Sequence, residues 1–89
     1  MSLRRTVEIE FEYEDRQVWC RLTELTGGLI KSVKAGEYQA DNWALLGLMD
    51  ARVKVDGLKT AVDELGLSWT QAIFDEYYSF LGSRVNRLG

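Results

Sequence analysis

The sequence predicts an α+β fold: a three-stranded antiparallel meander followed by two or three helices packed on one face of the sheet. Three observations carry this. Thr6 to Asp15 (TVEIEFEYED) alternates apolar and acidic residues without a break. A second alternating run, QVWCRLTEL, follows after a short gap. Beyond Asp41 the apolar spacing changes from two to that of a helix. Strands followed by helices argue for α+β.

The first strand spans about 5–13. Its alternation puts Val7, Ile9, Phe11 and Tyr13 on one face and Glu8, Glu10, Glu12 and Glu14 toward the other. The second spans about 16–25. Folding the chain about Glu14 and Asp15 sets Phe11 against Val18, Ile9 against Cys20 and Val7 against Leu22. The other face then pairs Glu12 with Gln17, Glu10 with Trp19 and Glu8 with Arg21. Both faces are chemically consistent, and a one-residue slip would mix them. Glu-Asp is not a favoured two-residue turn, so a longer loop is allowed. Thr26-Gly27-Gly28 signals a turn. A third strand is expected from Leu29, over about 29–35 and at most to Tyr38.

Asp41 is positioned to cap a helix over about 42–54, carrying Trp43, Leu45, Leu46, Leu48, Met49 and Val53. Leu58, Ala61, Val62 and Leu65 give a second helix over about 57–65, with one longer helix through Gly57 as the other reading. Gly66 offers a left-handed stop, and Ser68 with Gln71 a capping box for a last helix, 69–82 or longer.

Eighty-nine residues make a single small domain, 1–89, with residues 1–3 read as a leader of no structural role. Hydrophobic content of 46% against 28% charged is enough to offset ordering entropy, which excludes general disorder. No apolar run approaches the roughly 18 residues of a membrane span, and no signal peptide is visible, so a cytoplasmic location is expected. The single Cys20 forms no internal disulfide and fits a reducing compartment. A net charge of −3 gives no long-range attraction for polyanions.

Catalysis is not expected. The chain has no His, the commonest general base, and Cys20 alternates inward as a small core residue. No metal, phosphate-loop or dinucleotide motif occurs, so no cofactor, metal or catalytic residue is assigned. The acidic row Glu8, Glu10 and Glu12, beside Trp19, is a candidate rim for a basic partner. Its plain alternative is a solvated strand face that guards against edge aggregation.

On the last helix Trp69, Ile73, Phe74, Tyr77, Tyr78 and Leu81 form a stripe wider than one face. A core this small is not expected to absorb all of them, which makes them candidate interface anchors. Leu58 to Tyr78 also resembles a helix-turn-helix, with Leu65, Gly66, Leu67 and Ser68 at the helix end, turn and cap. The resemblance covers about a quarter of the chain. The expected exposed residues of its second helix, Thr70, Gln71, Asp75 and Glu76, include no cation, and the first Arg is Arg84, followed by Arg87. In its general character the chain is similar to small accessory proteins of phages and mobile elements, a likeness no motif carries.

The expected function is a non-catalytic protein-interaction or assembly module. It would bind a protein partner, or itself as a homo-oligomer with a dimer first, through the aromatic C-terminal helix. The alternative is a nucleic-acid binder using segment 58–78. Nucleic acid is the less expected partner, and a membrane is not expected.

Overall fold

The computed structural model describes residues 3–34 and 41–88. The elements run β1 (Thr6–Tyr13), β2 (Arg16–Thr23), α1 (Gly27–Lys34), α2 (Asn42–Leu48), β3 (Arg52–Val55), β4 (Leu58–Thr60) and α3 (Leu67–Leu88), with a 3-10 turn at Val62–Glu64. The α+β class holds. The sheet has four antiparallel strands in the order β1-β2-β3-β4, one more than the sequence suggests.

The first hairpin has the expected register throughout, from Val7 opposite Leu22 to Tyr13 opposite Arg16. Its loop is two residues. Glu14 (φ 50°) and Asp15 (φ 63°) both adopt the left-handed conformation that a type I′ turn requires, without the usual Asn or Gly. Eight consecutive strand pairs hold the strained turn in place.

The chain then departs from expectation. Leu29 begins no third strand, because 27–34 is helix α1. The Thr26 Oγ1 accepts the Leu29 N–H at 3.2 Å, and an N-cap of this kind outweighs a poor strand alternation. Residues 35–38 of the expected strand lie outside the described residues. Asp41 does cap α2, its Oδ1 accepting the Ala44 N–H at 2.7 Å. But α2 ends at Leu48 and does not reach residue 54. The stop is Asp50, left-handed at φ 49°. The Asp50 N–H donates to Gly47 O and the Ala51 N–H to Leu46 O, the two bonds of a Schellman motif.

The expected helix over 57–65 is likewise absent. Residues 52–60 form a second hairpin, with Asp56 (φ 52°) and Gly57 (φ 81°) as its turn. RVKV-DG-LKT is period-two alternation around the favoured Asp-Gly turn. Gly66 is not left-handed. Its carbonyl accepts the Trp69 and Thr70 N–H groups at the start of α3, which therefore begins two residues before the expected Trp69 and makes no use of a Ser68 cap. The helix extends to Leu88, the longer of the two expected ends.

β2 pairs with β3, setting Val18 opposite Val55 and Arg21 opposite Arg52. This leaves one sheet face apolar. Val7, Ile9, Val18, Cys20, Leu22 and Val53 meet Leu46 of α2, its C-cap Met49, and Ile73, Phe74 and Tyr77 of α3 in one core. Polar bonds fix the helices on each other. The Trp43 Nε1–H donates to Leu65 O at 3.1 Å, and the Asn42 amide donates to the fully buried Thr70 Oγ1 at 3.1 Å. Thr70 in turn donates to Leu67 O at 2.7 Å.

Two substitutions probe this. Gly57→Ala is expected to lower unfolding free energy by about 1 kcal/mol or more, since only Gly takes φ 81° freely. Thr70→Val is expected to cost about 1–2 kcal/mol by stranding the Asn42 amide. Urea denaturation checks both.

Candidate interaction surface

The aromatic stripe of α3 is mostly core. Ile73, Phe74 and Tyr77 are buried, with Ile73 sealed completely. Trp69 is half-buried and stands edge-on to Tyr13, ring centroids 4.8 Å apart. Leu81 is half-buried. Tyr78 alone of the six is open, 64% exposed and stacked on Phe74. The monomer therefore uses most of what the sequence offered as an interface, because both α3 and β1 bring large side chains to the same apolar layer.

The helix-turn-helix resemblance loses its first helix, since 58–60 is strand β4 and 62–64 a 3-10 turn. Thr70, expected to be exposed, is buried. Gln71, Asp75 and Glu76 are exposed as expected.

The opposite face of the sheet is different. Strand parity and register place on it Glu8, Glu10 and Glu12 from β1, Gln17, Trp19 and Arg21 from β2, Arg52 and Lys54 from β3, and Lys59 from β4. The core elements all lie on the other side. One cross-strand row reads Glu10, Trp19, Lys54, Lys59; the next reads Glu8, Arg21, Arg52. Charge thus grades from acidic on β1 to basic on β3 and β4, with Trp19 half-buried at the border. The Lys54 Nζ lies 5.0 Å from the Trp19 ring centroid, a cation–π contact.

Two pairs on this face oppose like charges: Arg21 with Arg52 and Lys54 with Lys59. Like charges directly opposite are destabilising. Among the described residues, the ion pairs formed are Arg4–Asp50 at 3.8 Å and Arg16–Asp56 at 3.6 Å, and neither involves these four cations. Glu8 has Arg21 opposite it, as expected, but the two do not close to ion-pair distance. A shallow depression of about 780 Å³ lies here, with Trp19, Arg21, Arg52, Lys54 and Lys59 in its lining. A smaller one, about 230 Å³, bridges Glu10, Trp19 and Lys54.

The acidic rim and Trp19 are where the sequence placed them. Arg52, Lys54 and Lys59 are not, since their segments read as helices. The signal that would have found them is the alternation about Asp56-Gly57.

Comparison with protein-family models, with curated proteins and with solved structures finds no match for this chain. No helix among the described residues is long and apolar enough to cross a membrane, and no cluster of three metal-ligating side chains occurs among them.

Cys20 is fully buried between the sheet and the helices, and burial pushes its thiol from the ordinary 9.0 up to about 12. A thiol is a poor nucleophile where its thiolate is this disfavoured. Tyr77 is also raised, first by burial and then by the Glu24 charge. Both groups favour the protonated form when folded. Their stability contribution is complete below the unfolded values and declines as pH rises toward the folded ones. Stability is expected to hold to about pH 8 and fall between pH 9 and 12, and Cys20→Ala should flatten part of that fall. Urea midpoints across pH measure it. Native Cys20 should also resist a thiol reagent at pH 8 that labels the urea-unfolded chain within minutes.

Proposed function

We propose that this protein is a non-catalytic interaction module that binds a protein partner through the open face of its sheet. The observation that carries the reading is the two opposed cation pairs, Arg21 with Arg52 and Lys54 with Lys59, none of them in an ion pair among the described residues, beside a half-buried Trp19. Opposing like charges in this way costs folding stability. An anionic surface laid across it would relieve both repulsions and cover the indole, and Trp and Arg are the side chains most often found as binding anchors. The neighbouring Glu row favours a partner of mixed charge, acidic over β3 and β4 and basic over β1, and steers its approach. The aromatic helix, expected to be the seam, leaves Tyr78 open and Trp69 and Leu81 half-buried, because Ile73, Phe74 and Tyr77 are in the core. A buried, unreactive Cys20 supports action by occupancy, and a lone cysteine fits the cytoplasm.

Amide and indole NMR shifts test this. A poly-glutamate peptide is expected to move Trp19, Arg21, Arg52, Lys54 and Lys59, and Lys54→Glu with Lys59→Glu to weaken binding at least tenfold. No shift on this face with poly-glutamate, poly-lysine or a single-stranded oligonucleotide would overturn the proposal. Tighter binding of the oligonucleotide than of the peptide would reassign the face to nucleic acid, whose phosphates and bases the same cations and indole could meet.

A further inference from the structure

We propose that the open sheet face is self-complementary, and that a second copy of this chain packs on it face to face about a two-fold axis running along β2. The inference rests on the reading of this face as the binding surface. A closed dimer requires one patch to match itself after a half-turn. An axis parallel to the strands reverses their order, so β1 of one copy lies over β3 of the other. Glu8 then meets Arg52 of the second copy, and Glu10 meets its Lys54. Each contact occurs twice by symmetry. Trp19 meets Trp19 on the axis.

The alternatives fail on charge. An axis perpendicular to the strands, still in the plane of the face, would set β1 over β1 and Glu over Glu. Edge-to-edge pairing of β1 with β1 would place Glu8, Glu10 and Glu12 beside the same residues of the second copy. The strand-parallel arrangement has two kinds of unfavourable contact: Arg21 with Arg21 at the axis, each with its own Glu8 opposite it in the sheet, and Glu12 over Asp56, whose charge is already paired with its own Arg16. Stacked sheets sit about 10 Å apart, a gap that extended Glu, Lys and Arg side chains bridge from both sides.

The contact is small. Two strands about 27 Å long and one about 14 Å long, about 4.8 Å apart, present on the order of 300 Å² of sheet, well below the ~800 Å² per partner of stable complexes. The dimer is therefore transient and dissociates as salt screens its charges.

Sedimentation equilibrium over a dilution series, at 50 and 500 mM salt, tests the proposal. The wild type is expected to self-associate at low salt and to dissociate at high salt. Glu8→Arg and Arg52→Glu should each weaken association about tenfold, and the double variant should return to within about threefold of wild type. Circular dichroism confirms that each variant is folded. Self-association indifferent to either single change would place the interface elsewhere, with Tyr78 on α3 the first candidate, and overturn the proposal. A strict monomer whose Trp19 face still binds poly-glutamate would also overturn it while leaving the binding face intact. Failure of both would remove both readings.

Discussion

The pairing of β2 with β3 is the constraint on which the rest of the structure depends. Each hairpin alone is a two-stranded unit, and such units are marginal in water. β2 is where they become one sheet: Val18, Cys20 and Leu22 are completely buried, with β1 on one side and β3 on the other. The chain between them leaves the sheet and returns as α1 and α2. Arg4 secures that return. Its guanidinium donates to Glu24 O at 2.9 Å and to Leu48 O at 2.7 Å, so one side chain holds the end of β2 against the end of α2. The Thr23 N–H adds a bond to Met49 O at 2.7 Å. This junction at one end, and the Gln17–Asp56 hydrogen bonds at the other, bring Lys54 and Arg52 beside Trp19 and Arg21.

The same pairing divides the molecule by chemistry. Small domains bury a limited share of their surface, and the buried apolar side chains described in this one form a single core cluster. Tyr77 and Phe74 are drawn inward with Ile73, and Trp69 closes on Tyr13. What remains open is the face the core does not need. That face carries the unrelieved charge.

The first hairpin was legible because two independent faces agreed on one register, and the acidic rim with Trp19 followed from it. The second hairpin was hidden by coincidence. Leu45, Leu46, Leu48, Met49 and Val53 continue a helical spacing across a real helix end, and that end is marked by Asp50 where Gly would be read as a stop. With 42–54 reading as helix, Asp56-Gly57 reads as a break between helices, and Lys54 and Lys59 lose their strand context. Leu29 reads as strand for the opposite reason: a side-chain cap from Thr26 is a local bond that apolar pattern does not record. The stripe on α3 was correctly seen as helical, but spacing alone does not say how much of it the sheet will cover.

Glu14, Asp15, Asp50 and Asp56 all hold left-handed backbone. These are four of the chain's fourteen carboxylates, and they outnumber its net charge of −3. Their Asp and Glu side chains sit at bends, where Asp in particular tolerates this conformation better than most residues other than Asn or Gly. The acidity of the whole protein is thus in good part a by-product of how it turns corners. The open face is counted differently: Arg21, Arg52, Lys54 and Lys59 stand against Glu8, Glu10 and Glu12, a surplus of one positive charge. An isoelectric point near 4.9 describes the turns of this molecule more than it describes the open face of its sheet.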